Sequence, residues 1–211
     1  RVVITAGPTR EAIDPVRYLS NHSSGKMGYA LAQAFAAAGA QVELISGPVA
    51  LEPPARVTVH QVTSAVEMCD AATKLAGDAD FFIGAAAVAD YRPAAISGEK
   101  IKKQDGRGLS LDLVENPDVV ATVAQLPNRP GIVAGFAAET HDLLSHARAK
   151  RLRKGLDMII ANDVSASETT FGSDQNAVHL ITAENETRLA LASKYVIAEQ
   201  IVAALATQLS N

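Results

Sequence analysis

The sequence has a single cysteine, no long apolar run and no excess of positive charge. One cysteine cannot form an intrachain disulfide, and Cys69 lies in an apolar-periodic run that is typical of a buried core thiol rather than a nucleophile. A membrane-spanning helix needs roughly 20 apolar residues in a row, so none is expected. The formal net charge of −4 disfavours nucleic-acid binding. We therefore expect small substrates, with no nucleic acid and no membrane among the partners.

The remaining composition is that of a globular chain of 211 residues, 48% of them hydrophobic. This length fits one domain over residues 1–211 and can bury a substantial core. The first residues, Arg1 to Gly7, indicate a strand and a turn and not a signal peptide. We expect a cytoplasmic protein, and a chain that opens on a strand is compatible with a domain of a longer polypeptide.

Apolar, β-branched runs alternate with helical periods along most of the chain. Strands are predicted at 2–6, 41–45, 57–62, 80–84, 131–135 and 157–161, and helices at 30–39, 64–76, 117–126 and 142–154. This alternation predicts an α/β fold with a Rossmann-like, doubly wound, mainly parallel sheet and helices on both faces. A hairpin appendage at about 177–191 and an amphipathic helix at 194–209 follow.

Three polar segments interrupt this regularity, at 7–24, 89–114 and 162–176. The second includes a predicted strand over 109–114. Long loops in compact domains are usually functional, and two of these leave the carboxyl ends of predicted parallel strands, where open α/β sheets bind ligands. The sequence therefore places a site at that edge of the sheet.

Gly25 and Lys26 suggest a phosphate-binding loop, but the full pattern is missing. A Walker loop needs a glycine five positions before Gly25 and a Ser or Thr after Lys26, where this chain has Ser20 and Met27. Thr5-Ala-Gly7 and Ser23 to Gly28 fit better as a short-chain dehydrogenase turn split by an insert, whose helix start would attract an anion. However, no Tyr-x-x-x-Lys pair exists, and the second strand ends in Ser46-Gly47 rather than in a carboxylate. Hydride transfer remains the weaker alternative.

The insert at 7–24 concentrates Arg10, Arg17 and Asn21 beside this helix start. An arginine can bind a phosphate through two hydrogen bonds, and an asparagine amide both donates and accepts. The structural alternative is that Asp14 pairs with Arg17 while Asn21 caps the helix. The residue types alone support the binding interpretation and the structural one equally. The length of the insert favours a role in binding a substrate.

Two further segments have the composition of a binding site. Ala85 to Ala89, followed by Asp90, would let a ligand lie against the backbone at a strand end. Three lysines at 100–103 could close over a polyphosphate, although such loops are often solvated surface. In the helix 142–154, Lys150 and Lys154 share a face and could contact a triphosphate, or could simply be solvated. The histidines form no zinc pattern, so the only metal expected is magnesium bound with a nucleotide.

Taken together, five segments resemble one family, the bacterial phosphopantothenate-cysteine ligase that forms the C-terminal half of the bifunctional coenzyme A biosynthesis flavoprotein. The matching segments are residues 5–11, 14–28, 86–91, 100–103 and 135–140. The resemblance runs in order along the whole chain, whereas the flavin-dependent decarboxylase half has no counterpart in these residues. The chain thus looks like the isolated ligase domain, with no flavin expected.

The resemblance implies a reaction in two steps. CTP with Mg²⁺ activates the carboxylate of 4'-phosphopantothenate as an acyl cytidylate and releases pyrophosphate, and the amine of L-cysteine then displaces CMP. It also implies a homodimer to which the insert and the hairpin contribute. Such chemistry needs positioning and charge neutralisation more than an acid or a base. A non-catalytic nucleotide-binding module that regulates a fused partner is the alternative from another class.

The same resemblance assigns the site residues. It implies catalytic roles for Asn21 and Lys100. Substrate contacts are implied for Arg17, acting across the dimer interface, and for Asn21, Ala86, Ala87 and Asp90. Nucleotide contacts are implied for Gly84, Ala85, Ala86, Asp90, Lys100, Pro117, Asp118, Val119, Val120, Phe136, Lys150 and Lys154. The segment 104–109 is shorter than in some members of that family. This difference affects how far the loop that carries the lysines at 100–103 can extend, but not the presence of the lysines.

Overall fold

The computed structural model describes residues 1–103, 106, 108–139, 143–163 and 172–209. In chain order the elements are β1 (Val2–Ala6), β2 (Arg10–Ala12), β3 (Tyr18–Ser20), α1 (Lys26–Ala37), β4 (Val42–Ser46), β5 (Val57–Gln61), α2 (Ala65–Ala76), β6 (Phe81–Gly84), β7 (Tyr91–Pro93), β8 (Leu113–Glu115), α3 (Val119–Ala124), β9 (Ile132–Glu139), α4 (Leu143–Lys154), β10 (Met158–Asp163), β11 (Gln175–Ile181), β12 (Glu186–Ser193) and α5 (Lys194–Leu209). Within these ranges, no helix is long and apolar enough to cross a bilayer.

Eight strands form the main sheet in the order β12-β11-β10-β9-β6-β1-β4-β5. The strands from β10 to β5 are parallel, and β11 and β12 are antiparallel. The chain first moves outward from β1 through β4 to β5, then returns to β6 and proceeds the other way. The strand order therefore reverses between β1 and β6, which is where open α/β sheets form their ligand crevice. The predicted fold class is confirmed.

Both faces of the sheet are buried because helices cover each of them, and successive strand residues point to opposite faces. In β1, Val2 and Ile4 pack with α1 and α5 on one face, whereas Val3 packs with α2 and α3 on the other. Cys69 is buried in this second layer, as expected. With both of its faces packed, β1 pairs in parallel with β6 up to Thr5 and Gly84, so the carboxyl ends of the two strands lie side by side.

The insert at 7–24 is folded, which the sequence did not indicate. It contains the antiparallel pair β2–β3. A buried carboxylate, that of Glu11, accepts a hydrogen bond of 3.0 Å from the amide of Ala65 at the start of α2, and the amide of Arg10 donates to the carbonyl of Thr63 at 2.8 Å. These contacts attach the insert to the body of the sheet.

Several predicted boundaries were wrong. Helix α1 begins at Lys26, four residues before the predicted start, because Gly25 adopts the left-handed conformation (φ 77°) that begins the helix. The hairpin predicted as an appendage instead extends the main sheet, since β11 pairs with β10. The strand predicted over 109–114 is limited to β8, and its partner β7 was not predicted. Helix α3 is shorter than the predicted 117–126.

Candidate functional site

A cleft of about 530 Å³ lies at the carboxyl ends of β1, β6 and β9, next to the point where the strand order reverses. It collects residues from five separate parts of the chain. Its lining includes Asn21, Gly84, Ala86, Ala87, Asp90, Pro117, Asp118, Val119, Val120, Phe136, Lys150 and Lys154. The structure thus brings most of the residues predicted from the sequence into one cavity.

The floor of the cleft is the turn after β6, and its amides are used internally. The amide of Ala85 donates to the carbonyl of Thr5 at 3.1 Å, and that of Ala87 donates to the carbonyl of Gly7 at 2.9 Å. The buried hydroxyl of Thr9 accepts from the amide of Ala89 at 3.0 Å. These bonds fix the backbone of the floor, and ligand contact along this turn stays a prediction.

Asn21 is held against this floor. Its side-chain nitrogen donates to the carbonyl oxygen of Ala87 at 2.9 Å. Because a carbonyl can only accept, this bond fixes the orientation of the amide and leaves Oδ1 as an acceptor in the cleft. The alternative that Asn21 caps α1 is wrong, since the residue at that position is Gly25.

The opposite wall is the first turn of α3. Asp118 caps the helix, accepting from the amide of Ala121 at 3.1 Å, and pairs with the ammonium of Lys154 at 2.8 Å. Gly84 permits the close approach of this turn, because a Cβ at that position would lie 2.4 Å from Val120 Cγ2. Lys150 stands one helical turn before Lys154 and lines the same cleft. Two lysines therefore line this wall, and one of them is paired with the carboxylate that caps the helix start.

Asn116 is a cleft residue that the sequence reasoning missed. Its side chain donates to the carbonyl of Ala89 at 2.8 Å and accepts from Arg92 at 3.1 Å. It thereby joins the floor to the β7–β8 pair, which supplies Tyr91 and Glu115 to the wall. An asparagine directly before Pro117 was the available signal, because such a residue is restricted to extended conformations and often begins a turn.

A second cavity of about 170 Å³ adjoins the cleft through Ala86, Ala87 and Phe136, and contains the start of α1. The two halves of the split glycine turn meet here, since a Cβ on Gly25 would lie 3.3 Å from the Cα of Gly7. Among the described residues, no side chain caps the first turn of α1. Its amides therefore face a cavity that suits an anion.

Two lysines border this second cavity. Lys26 donates to the carbonyl of Gly172 at 2.8 Å and pairs with Asp174 at 2.7 Å. Lys194 donates to the carbonyl of Ser173. Burial lowers the pKa of Lys194, and the positive charge of Lys26 lowers that pKa further. Both lysines fasten the chain before β11 to the start of α1.

The other three predicted residues lie elsewhere. Ala85 lines the second cavity. Arg17 borders a separate depression of about 370 Å³ together with residues 101–103 and 108–109. Lys100 is exposed on the long connection between β7 and β8. Some positions of the predictions lie outside the described residues. They are 104, 105 and 107 of the segment 104–109, Thr140 of the matching segment 135–140, and Asp142 at the start of the predicted helix.

Comparison with known proteins decides the family. The model of the DNA/pantothenate metabolism flavoprotein C-terminal domain matches residues 1–209. The chain belongs to this family. It is 49% identical over 209 residues to the coenzyme A biosynthesis bifunctional protein CoaBC of Escherichia coli strain K12, covering 98% of this chain and 52% of that protein. To CoaBC of Vibrio vulnificus strain CMCP6 it is 49% identical over 211 residues, covering 100% of this chain and 53% of the relative.

Solved structures agree with this assignment. The crystal structure of the C-terminal domain of CoaBC superimposes with a TM-score of 0.84 at 37% identity, covering 100% of this chain and 95% of that one. The chain spans about half the length of the curated relatives it matches. Its similarity thus lies with the C-terminal domain of a two-part protein.

Proposed function

We propose that this chain is a ligase domain that joins 4'-phosphopantothenate to L-cysteine in coenzyme A biosynthesis, using CTP. Residues 1–211 act in this proposal as a single domain. The relatives are named as bifunctional coenzyme A biosynthesis proteins, and the family resemblance supplies the two substrates and the cytosine base. The flavoprotein decarboxylase fused to such domains is the proposed partner, and any flavin belongs to that part.

The observation that supports this proposal best is the composition of the cleft. One wall has a helix start and two lysines, which suit a polyphosphate, and the other has a fixed amide above a floor of alanine methyl groups. A ligase that activates an acid needs both parts in contact, because the carboxylate must reach the α-phosphorus of the nucleotide. Among the described residues, the lining of the cleft contains no Ser, Thr, Cys or His.

In the first step, a carboxylate oxygen of the acid attacks the α-phosphorus of CTP, and the bond to pyrophosphate breaks. Lys150, Lys154 and the first turn of α3 hold the triphosphate. Lys100 neutralises the charge that develops on the leaving pyrophosphate, moving over the cleft from its exposed segment. Asp90 lies at the end of the floor, between the two substrates.

In the second step, the cysteine nitrogen attacks the acyl carbon, CMP leaves with the carboxylate oxygen and the amine loses a proton to solvent. Asn21 positions the acyl group through Oδ1, because its Nδ2 is bound to the carbonyl of Ala87. The phosphate of the acid extends toward the start of α1, which no side chain of the described residues caps and which Lys26 and Lys194 border. Positioning therefore accounts for most of the catalysis.

The carboxylates of the cleft suit a nucleotide-bound magnesium ion. Asp90 and Glu115 both line the cleft, and oxygen atoms are the ligands that Mg²⁺ prefers. When bound, Mg²⁺ neutralises phosphate charge. In the described part of the chain, His, Cys, Asp and Glu side chains do not gather in groups of three that could hold a metal by themselves. Asp90 and Glu115 would thus share the ion with the triphosphate oxygens.

The family resemblance assigns the homodimer interface to the insert and the C-terminal hairpin, and we place part of the proposed surface on the insert and the neighbouring β7–β8 pair. Exposed apolar side chains cluster on these two neighbouring elements and on the connections beside them; they are Val16, Tyr18, Tyr91, Ile96, Leu109, Leu113 and Val114. Exposed apolar residues on neighbouring elements are typical of protein interfaces when they form a patch. Arg17 stands in the same insert, so dimerisation would present it to the partner's phosphopantothenate.

A reaction without cysteine tests this function. The protein is incubated with CTP, Mg²⁺ and 4'-phosphopantothenate, and pyrophosphate and an acyl-cytidylate adduct are measured. We expect both products in the presence of the acid and neither in its absence. Failure to form pyrophosphate with the authentic acid would remove the ligase function. ATP in place of CTP tests the choice of base.

A further inference from the structure

The side chain of Asp14 connects two of the proposed functional segments. It is buried, and its Oδ2 accepts from Nε of Arg17 at 3.0 Å and from the amide of Ile101 at 3.1 Å. Arg17 in turn donates from its NH2 nitrogen to the carbonyl of Ile101 at 2.9 Å. The ion pair therefore contacts both the amide and the carbonyl of Ile101. We call these three residues the Asp14 clasp.

The clasp differs from a local turn. Oδ1 of Asp14 accepts from the amides of Val16 and Arg17, both at 2.9 Å, which is an ordinary aspartate turn. Oδ2 makes no bond needed for that turn and instead reaches 87 positions along the chain to Ile101. The two oxygens of one carboxylate thus have separate tasks, and only the second links the insert to the lysine segment.

The position of the clasp has a consequence for the proposed reaction. Ile101 directly follows Lys100, and Arg17 precedes Asn21 by four residues. Lys100 is exposed and stands on a segment of little regular structure. Such a segment would sample many positions unless a buried group fixed it, and a displacement of about 1 Å in a catalytic group can cost on the order of 100-fold in rate.

We propose that Asp14 is a positioning residue that holds Arg17 and the segment beginning at Lys100 as one unit. This inference rests on the proposed function, because the roles of Arg17 and Lys100 belong to it. Asp14 touches neither substrate in this account. It fixes the position from which Lys100 moves over the cleft. It also fixes the orientation in which Arg17 is presented to the partner's phosphopantothenate.

Asp14→Asn separates the two tasks of the carboxylate. Asparagine keeps Oδ1 for the turn, but its second group is an NH₂ that cannot accept from Arg17 or from Ile101. The matched control is Asp157→Asn. Asp157 also accepts from a guanidinium, that of Arg129, and from an amide, that of Val133 at 2.7 Å, but lies at the opposite end of the sheet.

The first measurement is amide hydrogen exchange at Ile101 without ligands. We expect Asp14→Asn to raise that exchange rate on the order of tenfold, since the amide loses its acceptor, and Asp157→Asn to leave it unchanged. An unchanged rate at Ile101 in Asp14→Asn would overturn the inference. This measurement does not depend on catalysis, so it gives a result even if the ligase function fails.

The second measurement is pyrophosphate release in the absence of cysteine. We expect Asp14→Asn to lower kcat by about 10- to 100-fold and to raise KM for the acid, with KM for CTP within about twofold of wild type. Asp157→Asn should have a lower melting temperature than wild type, but without the lower kcat and the higher KM for the acid. Equal kcat in wild type and Asp14→Asn, or losses in both variants that follow only the melting temperature, would contradict a positioning role. An inactive wild type would instead remove the proposed function.

Discussion

The side-chain nitrogen of Asn21 lies 2.9 Å from the carbonyl oxygen of Ala87 and donates a hydrogen bond to it, across 66 positions of sequence. This contact closes the insert onto the floor of the cleft. It also determines which end of the amide is available to a substrate. Several consequences of this arrangement can be measured.

Asn21→Asp replaces the donor by a carboxylate oxygen next to a carbonyl. We expect CTP binding and pyrophosphate release to stay within about threefold of wild type, while amide formation falls on the order of 100-fold, because the acyl group is no longer oriented. Both products are measured in one quenched reaction. Asn185→Asp, in the exposed turn between β11 and β12, is the isosteric control. Unchanged amide formation in Asn21→Asp would exclude Asn21 from the site.

Lys100→Gln removes a charge from the exposed segment without shortening the side chain. We expect pyrophosphate release to fall by about 100-fold or more, because charge on the leaving group is no longer neutralised. Lys102→Gln, two residues later and also exposed, is the control and should remain near wild type. Normal pyrophosphate release by Lys100→Gln would make this segment ordinary surface.

Gly84→Ala tests the approach of α3 to the floor. The added methyl group would meet Val120 Cγ2 at 2.4 Å, so the first turn of α3 must move. We expect a loss of about 1–3 kcal/mol in the free energy of unfolding and a higher KM for CTP. Val120→Ala in the same chain should restore part of both. Gly98→Ala, whose added methyl meets open space, should change neither.

Gln replacements of Lys150 and Lys154 test the phosphate wall. Each should raise KM for CTP about tenfold, since a charge-assisted hydrogen bond to phosphate is lost, with KM for the acid little changed. Arg153→Gln, an exposed change on the same helix, controls for net charge. If all three variants raise KM equally, the effect is a general field and Lys150 and Lys154 do not contact the nucleotide.

Acid should remove the contribution of the Asp14 clasp to stability. The hydrogen bond from Arg17 holds the pKa of Asp14 well below its ordinary value of 3.8. A carboxyl whose pKa is lowered by folding stabilises the folded state fully above pH 3.8, and this stabilisation is lost progressively as the pH falls from that value through the lower pKa of the folded state. Urea unfolding of wild type and Asp14→Asn should therefore differ at pH 6, and the difference should shrink progressively as the pH falls below 3.8. A constant difference would contradict this linkage.

The sequence predicted the parallel sheet well because its strands are buried on both faces. Val2 to Ala6 is a β-branched, mainly apolar run, Phe81 to Gly84 is apolar throughout, and Lys194 to Leu209 has a full helical length, so these elements are clear from composition. The glycine turn around Gly25 was harder. Gly25 is the residue directly before α1, and it adopts the left-handed conformation. The glycines at positions 25 and 28 indicated a loop there, so the helix was predicted to begin only at residue 30.

The parts that could not be predicted depend on contacts between distant segments. β2, β3 and β7 have three residues each, too few to show a period. The insert is attached through Glu11 and Thr9, which accept hydrogen bonds from the remote amides of Ala65 and Ala89. Asn116 enters the cleft for a similar reason. The bond between Asp14 and Ile101 had no signal in the sequence, although the pairing of Asp14 with Arg17 was foreseen as an alternative to function and is present.

Oxygen-18 transfer tests the central claim most directly. 4'-Phosphopantothenate labelled in its carboxylate is converted with CTP, Mg²⁺ and L-cysteine, and the products are analysed by mass spectrometry. If the carboxylate attacks the α-phosphorus and CMP then leaves, one labelled oxygen must appear in CMP and none in pyrophosphate. Label in pyrophosphate or inorganic phosphate, or CMP free of label while the amide forms, would contradict the acyl-cytidylate mechanism.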